Sequence, residues 1–173
     1  MPLFHQDIWK YQLREAMIYW LAVPGAVIFS GLLLDRLCQF QALPASPWLT
    51  GTALLLLAAG FALIWLAIRD LTRCGKGTPN PRRPPQSLVT GGVYRWCRHP
   101  MFFGYDLAAL AVVLLFRSPA MLCVSFPVFL IMQLRFLHKE ERYLLRRYGE
   151  AFVNYKRSVP FLTPFCSTGE PKR

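Results

Sequence analysis

Four strongly apolar blocks constrain the fold of this chain more than any other feature of its sequence. The first two blocks approach the ~20 residues that a helix needs to cross ~30 Å of hydrocarbon. The last two are shorter and only Arg117 separates them, which predicts a tight helical hairpin that tilts, thins the bilayer or stops short of spanning it. We therefore predict an all-α integral membrane protein with about four transmembrane helices. The blocks are residues 16–34, 47–68, 100–116 and 118–134.

The basic residues are distributed very unequally around these blocks. Of the 20 lysines and arginines, 18 lie before the first block, between the second and third, or after the fourth, and only Arg36 and Arg117 lie elsewhere. Cytoplasmic segments of membrane proteins are rich in Lys and Arg, so this asymmetry predicts cytoplasmic N- and C-termini. The net charge of +11 also attracts anionic lipid headgroups. No base-stacking or groove-reading motif accompanies it, so we expect no nucleic acid partner.

The first block has an alternative interpretation as a cleaved signal peptide. Its 19 residues exceed the roughly 7–15 apolar residues of such a segment, which favours a retained helix. The five cysteines and three histidines are scattered without the close spacing of metal sites. We therefore expect no bound metal and no disulfide framework.

The length of 173 residues predicts a single membrane domain, residues 1–173. Its N-terminal two-helix part covers residues 1–69 and its core covers residues 70–173. Residues 1–15 have the spacing of an amphipathic interfacial helix. Residues 72–85 are rich in Pro, Gly and basic residues, which predicts an open loop.

Two helices are predicted after the last apolar block. Residues 135–148 indicate a helix that leaves the membrane and is closed by Gly149. A shorter helix follows, in which Phe152 and Tyr155 are spaced to pack back onto the preceding elements. The dipeptide Val159-Pro160 ends regular structure.

Charged residues border the predicted hairpin at both of its ends. Arg98 and His99 precede Pro100, which suits the first turn of a helix, and Glu140-Glu141 follows the last block. Each element has an ordinary interpretation, a loop-to-helix junction and a solvated pair of charges among arginines. The hairpin nevertheless brings the two elements to the same side of the membrane. This juxtaposition predicts a pocket in which an arginine, a histidine and two carboxylates lie over an apolar floor.

An ordered set of short motifs over residues 86–164 resembles a known group of membrane enzymes. The motifs are Gly92-Val93-Tyr94, Arg98-His99-Pro100, Gly104, Glu140-Glu141, Tyr148-Gly149, Tyr155 and Val159-Pro160. Arg-His-Pro alone is a weak signal. The whole set, in this order and spacing, is similar to the isoprenylcysteine carboxyl methyltransferase and phospholipid N-methyltransferase superfamily. The first two apolar blocks agree with that superfamily only in hydropathy.

The resemblance implies a methyltransferase that uses S-adenosylmethionine, bound by the core 70–173 at the cytoplasmic ends of the last membrane helices. This cofactor carries an ammonium and a sulfonium group, which favour a nearby carboxylate, and a carboxylate that Arg98 would meet. Carried over onto this chain, the cofactor-binding residues would be Gln86, Ser87, Leu88, Val89, Tyr94, Arg98, His99, Pro100, Met101, Phe102, Glu140 and Glu141.

The implied methyl acceptor is a lipidic or prenylated small molecule, and the carboxylate of an isoprenylcysteine-like substrate is slightly favoured over a phospholipid amine. A carboxylate or thiolate acceptor needs alignment and desolvation without proton removal. An amine would need a base, for which Glu141 and His138 are the candidates. The prenylcysteine enzymes hold their substrate with an arginine where this chain has Phe136, so the adjacent Arg135 becomes the substrate-binding candidate. Phe102 also replaces a frequent tyrosine.

The sequence leaves open the role of Asp106 and two alternative functions of the chain. Asp106 lies about two turns into an apolar block, where an acid is either functional or close to the membrane interface. Residues 137–160 are also similar to the C-terminal part of membrane sterol reductases, which use NADPH but usually carry Arg-Asp in place of Glu140-Glu141. A non-catalytic membrane adaptor is the third alternative, and it predicts that the chain binds neither cofactor.

Overall fold

The computed structural model describes residues 22–77 and 85–163, and all regular secondary structure within them is helical. This confirms the predicted all-α fold for the described residues. The predicted interfacial segment 1–15 and the first residues of block 16–34 lie outside them. The helices in chain order are α1 (Val23–Cys38), α2 (Pro47–Gly75), a short 3-10 helix (Gly92–Arg95), α3 (Pro100–Phe116), a wide helical turn (Met121–Ser125), α4 (Phe126–Tyr148) and α5 (Glu150–Ser158).

Two of the predicted helix ends are too early. α1 continues beyond residue 34 to Cys38, and it stops where Gln39 adopts a left-handed conformation with φ 53°. α2 continues beyond residue 68 to Gly75, and the next residue, Lys76, adopts a left-handed conformation with φ 52°. Residues 72–75 are therefore helical and do not belong to the predicted open loop. The bounds of α3 match the prediction.

The last apolar block and the predicted exit helix form one continuous helix from Met121 to Tyr148. No glycine or proline lies between Pro127 and Gly149 to interrupt it. The predicted hairpin is confirmed, and Arg117 reverses the chain between α3 and the wide turn with φ 54°. Gly149, also with φ 54°, separates α4 from α5 as predicted.

The described residues form two compact units. In the first, α1 packs closely against the wide turn, since a Cβ added to Gly31 would lie 2.7 Å from the Cβ of Met121. The hydroxyl groups of Ser30 and Ser125 lie 3.0 Å apart in the same contact. We call this part the hairpin unit, and it consists of residues 22–55 and 109–131.

In the second unit, α2 and α3 approach each other backbone to backbone. A Cβ added to Gly60 would lie 2.6 Å from the carbonyl oxygen of Gly104, and one added to Gly104 would lie 2.7 Å from that of Gly60. Phe152 and Tyr155 of α5 are buried, as predicted, with Val159 beside them. We call this part the site unit, and it consists of residues 56–77, 85–108 and 132–163.

Two helices of the described chain are long and apolar enough to cross a membrane, namely Pro47–Gly75 and Met121–Tyr148. Pro100–Phe116 is apolar but has only 17 residues. Phe61 and Trp65 of α2 are exposed, which suits a lipid environment better than water. These features indicate a membrane protein. The four crossings and the division of the chain at residue 70 stay predictions.

Candidate functional site

The turn that precedes α3 is held in place by the end of α2. Gly92 has φ 60°, and a Cβ at this position would overlap the Asp70 carboxylate. Asp70 Oδ2 accepts a hydrogen bond from the backbone N–H of Val93 at 3.0 Å, and Arg69 lies 3.0 Å from Oδ1. Asp70 therefore sets the backbone that carries Tyr94. This role was not predicted, although an acid at the end of an apolar block and a later Gly-Gly pair are signals for it.

The segment from Tyr94 to His99 is fastened to α5 and to the chain beyond it. The backbone N–H of Arg98 donates to the carbonyl of Pro160 at 2.9 Å, and its Nη1 donates to the carbonyl of Lys156 at 2.9 Å. The hydroxyl of Tyr155 donates to the carbonyl of Tyr94 at 2.7 Å. The separate motifs of the sequence therefore meet in one place.

Glu141 is the centre of a buried ion-pair network. Its side chain is 5% exposed, that of Arg98 is 8% exposed, and Arg98 Nε lies 2.8 Å from Glu141 Oε1. Lys156 Nζ lies 2.8 Å from the other carboxylate oxygen, Oε2. Two cations thus face one carboxylate, which joins α4 to the turn before α3 and to α5. Lys156 was not among the predicted residues.

His99 and Glu140 lie beside this network with unused hydrogen-bonding capacity. The His99 side chain is 5% exposed, and its Nδ1 lies 3.9 Å from Glu140 Oε2. Its Nε2 lies 3.7 Å from Glu141 Oε1, which is also beyond hydrogen-bonding distance. Glu140 is partly exposed, but its Oε2 is buried. Among the described residues, four buried side-chain atoms lack a hydrogen-bond partner, namely Arg98 Nε, His99 Nε2, Glu140 Oε2 and Glu141 Oε1. Arg98 Nε and Glu141 Oε1 face each other as a 2.8 Å ion pair, whereas His99 Nε2 and Glu140 Oε2 have no contact that short, which is costly unless a ligand supplies a partner.

Aromatic side chains border the polar atoms of His99. The centroid of the Phe102 ring lies 6.3 Å from that of His99 and 5.8 Å from that of Phe136 on α4. Phe161, which follows α5, lies 5.1 Å from the His99 ring and 5.4 Å from the guanidinium carbon of Arg98. Apolar surroundings strengthen electrostatic interactions relative to water. Phe161 was not predicted, since nothing in its local sequence marks it.

A second polar pair lies two helical turns further along α3. Asp106 Oδ1 accepts a 2.7 Å hydrogen bond from Nε2 of Gln133, and both side chains are buried. Asp106 is therefore a buried hydrogen-bond partner between α3 and α4. Three facing pairs follow one another along α3 and α4, namely His99–Glu140, Phe102–Phe136 and Asp106–Gln133.

The predicted segment 86–89 is anchored to the last turn of α2. The Gln86 backbone N–H and the Ser87 hydroxyl donate to carbonyl groups there, at 2.8 and 3.1 Å. Gln86 and Ser87 are exposed, whereas Leu88 packs against the buried face of α5 and Val89 is buried. In the structure, Leu88 and Val89 contribute to packing, the Ser87 side chain is hydrogen-bonded to α2, and the Gln86 side chain is exposed.

The remaining predicted residues differ in their surroundings. Pro100 is buried and Met101 half-buried in the first turn of α3. His138 is exposed, and its Nδ1 donates to the backbone carbonyl four residues earlier at 2.7 Å, because a carbonyl can only accept. This leaves Nε2 as the nitrogen that can take up a proton. Arg135 is exposed, and it takes no part in the ion pairs or hydrogen bonds that join the described site residues.

Burial changes the acidity of three groups around the site. Burial, and secondly the negative charge of Glu140, raise the pKa of Tyr94 well above its usual range. Burial likewise raises the pKa of Tyr155, and it raises the pKa of the Cys97 thiol to about 11. The Tyr94 hydroxyl therefore stays protonated at neutral pH and is available as a donor. Cys97 is a packing residue, because its thiolate is scarce at neutral pH.

The side chains of the described site suit an organic ligand better than a metal ion. Within residues 22–77 and 85–163, no group of three or more His, Cys, Asp or Glu side chains is positioned to hold a metal ion. The described cysteines Cys38, Cys74, Cys97 and Cys123 are free thiols. The site offers a carboxylate, an imidazole and a phenol, which suit an organic ligand with cationic and polar groups.

Known proteins similar to this chain are methyltransferases by name. A model of a family described as phospholipid methyltransferase matches residues 48–151, more than half of the chain. Protein-S-isoprenylcysteine O-methyltransferase of Mus musculus is 28% identical over 123 residues, which are 68% of this chain and 42% of that protein. The protein of the same name from Saccharomyces cerevisiae is 32% identical over 82 residues, 45% of this chain and 33% of that protein.

A smaller match has a different acceptor in its name. Methanethiol S-methyltransferase of Mycobacterium tuberculosis is 30% identical over 73 residues, which are 42% of this chain and 29% of that protein. The chain therefore spans about two-fifths of the length of the mouse relative, and less of the other two. The matches agree on the type of group transferred and differ in the acceptor.

Proposed function

The chain belongs to the phospholipid methyltransferase family, and from this premise we propose that it transfers a methyl group from S-adenosylmethionine to a lipidic acceptor in a membrane. One observation carries the proposal. The buried atoms His99 Nε2 and Glu140 Oε2 lack a described hydrogen-bond partner, at the place where the family resemblance puts the cofactor. A ligand with cationic and polar groups would supply a partner to both atoms.

The residues around this site fit S-adenosylmethionine. When bound, this cofactor supplies a methyl group attached to a positively charged sulfur. Glu140 would balance a cationic group, while His99 and the protonated hydroxyl of Tyr94 would supply hydrogen bonds. The side chains of Met101 and Phe102 would cover the ligand and exclude water, which strengthens the interaction with the Glu140 carboxylate.

The two adjacent glutamates have different tasks in this proposal. Both oxygens of Glu141 face cations, Arg98 and Lys156, so its carboxylate is a poor candidate for proton removal. We assign Glu141 a positioning role, in which it holds the turn that carries His99. Arg98 likewise acts by fixing the backbone, since its guanidinium is used by Glu141 and the carbonyl of Lys156.

An isoprenylcysteine-like carboxylate is the first acceptor that we propose. Two of the relatives described above are named for this substrate. A carboxylate needs no proton removal, so alignment and desolvation by the protein are sufficient. Exposed Arg135 is the proposed contact for its negative charge.

A phospholipid amine is the second candidate acceptor, and a specific observation favours it. The helix faces that meet beyond His99 carry an aromatic pair, Phe102 and Phe136, and then the Asp106–Gln133 pair. This stretch offers a carboxyl group and aromatic rings, which suit an amine better than an anion. Nε2 of His138 would then be the base that removes the amine proton.

Calorimetry of the purified full-length protein with S-adenosylhomocysteine and, separately, with NADPH tests the proposal. We expect binding of S-adenosylhomocysteine only. Binding of NADPH alone would indicate a reductase, and binding of neither would indicate an adaptor. A methylation assay with a farnesylated cysteine and with phosphatidylethanolamine then distinguishes the two acceptors.

We also propose that both termini and the site face the cytoplasm, around four membrane crossings. The proposal follows from the 18 basic residues on one side of the apolar blocks and two on the other. In a variant without other cysteines, an impermeant thiol reagent added from outside should label Ala45→Cys and not Arg95→Cys. Both positions are exposed in the structure, so equal labelling would contradict the topology.

A further inference from the structure

One side of α4 carries four basic residues in helical register, which we call the basic stripe. Successive members are four, three and four residues apart, so they lie along one side of the helix. The stripe extends ~16 Å along the helix axis from its first residue to its last. This length exceeds one phosphate group and suits several of them side by side. The members are Arg135, Lys139, Arg142 and Arg146, and all four are exposed.

No described acid neutralises the basic stripe. The two acids of α4, Glu140 and Glu141, pair with His99, Arg98 and Lys156 instead. Among the described residues, the stripe cations make no ion pair, and Arg146 Nε donates only to the carbonyl of Arg142, at 3.3 Å. Like charges one turn apart disfavour a helix. Four of them in register therefore favour an anionic partner.

Exposed apolar side chains accompany the stripe. Met132, three residues before Arg135, is 47% exposed, and Leu145, three residues after Arg142, is 44% exposed. This surface of α4 thus carries apolar side chains both before the stripe and beside its last members, so it can contact lipid tails as well as headgroups. A nucleic acid or an acidic peptide would match the charges but would leave the apolar neighbours without a partner.

We propose that the basic stripe binds the headgroups of anionic phospholipids, with several phosphates seated along it. The inference does not depend on methyl transfer, because the stripe does not include His99 or Glu140, although its first member, Arg135, is also the proposed contact for a carboxylate acceptor. Bound lipid would offset the repulsion between the four cations. It would therefore stabilise α4, the helix that also carries Glu140.

The test uses the purified full-length protein in a neutral detergent. Phosphatidylglycerol, phosphatidylcholine or inorganic phosphate is added, and both lipid binding and the melting temperature are measured. We expect phosphatidylglycerol to bind and to raise the melting temperature, whereas the other two have little effect. The variants R135Q/K139Q and R142Q/R146Q should each bind phosphatidylglycerol at least tenfold more weakly, because each loses two charges near the headgroups.

The variant R95Q/R157Q is the matched control, because it also loses two exposed charges but outside the stripe. It should bind phosphatidylglycerol within about twofold of the wild type. Equal losses in control and stripe variants would overturn the proposal, since net charge alone would then explain binding. So would equal effects of phosphatidylcholine, or of free phosphate, on the wild-type protein. These wild-type comparisons decide the matter even if a stripe variant fails to fold.

Discussion

The hairpin unit and the site unit use their polar side chains differently. In the hairpin unit, the hydroxyl groups of Ser30 and Ser125 lie 3.0 Å apart. Asp35 Oδ1 accepts a 3.0 Å hydrogen bond from the backbone N–H of Ala120, at the start of the wide turn. These polar groups satisfy one another across a helix contact, so they contribute to packing and leave little for a ligand.

In the site unit, polar groups that are paired within the protein lie beside polar groups that have no described hydrogen-bond partner. Both carboxylate oxygens of Glu141 are ion-paired, with Arg98 and Lys156 each at 2.8 Å. The adjacent Glu140 and His99 hold buried atoms without a described hydrogen-bond partner. A polar group that is paired within the protein should therefore matter for stability, whereas one without a partner should matter for ligand binding.

Glu141→Gln should cause the largest loss of stability. The substitution leaves the buried guanidinium of Arg98 without its counter-charge, and breaking a buried pair costs about 3 kcal/mol or more. Chemical unfolding in detergent measures the change, with Glu150→Gln as the matched control. Glu150 is exposed, so its replacement should change the free energy of unfolding by less than roughly 0.5 kcal/mol. Equal effects would mean that the Glu141 network does not stabilise the fold.

His99→Ala and Tyr94→Phe should weaken binding of S-adenosylhomocysteine while the protein stays folded. Each removes a donor that we assign to the ligand, and a hydrogen bond to a charged group contributes ~1.5–3 kcal/mol, or roughly 10- to 150-fold in affinity. Calorimetry measures the affinity, and the melting temperature checks the fold. Unchanged affinity in both variants would show that the turn before α3 is only a structural junction.

Glu140→Gln should reduce affinity for S-adenosylhomocysteine and the rate of methylation at least tenfold, or ~1.4 kcal/mol. The substitution keeps the shape of the side chain and removes the charge that would balance the ligand. Glu150→Gln again serves as the control and should behave like the wild type. If Glu140→Gln lowers stability as much as Glu141→Gln but leaves affinity unchanged, the assigned roles of the two glutamates are reversed.

Asp35→Ala should lower the free energy of unfolding by about 1 kcal/mol, because the N–H of Ala120 loses its acceptor. Affinity for S-adenosylhomocysteine should not change, since the hairpin unit has no role in the proposed site. The same unfolding and calorimetry experiments check both statements. A clear loss of affinity would show that the hairpin unit also contributes to ligand binding, contrary to the prediction.

Several features of the fold could be predicted from the sequence for local reasons. Long apolar blocks predicted helices, and the lone Arg117 between two of them predicted the hairpin. The ends of α1 and α2 were predicted too early, because a charged residue ends an apolar block without ending a helix. A helix stops where the backbone requires it, here at Gln39 and Lys76, which both adopt a left-handed conformation.

The order of the apolar blocks is enough to predict that Arg98-His99 and Glu140-Glu141 meet, since a short hairpin joins the helices that carry them. The difference between the two glutamates depends on tertiary contacts. Lys156 and Phe161 come from beyond α4, and Asp70 from the end of α2, so no local pattern connects them with the site. Whether a buried polar atom is paired or left for a ligand depends on differences of about 1 Å in the distance between residues far apart in the chain, and those distances are set by packing.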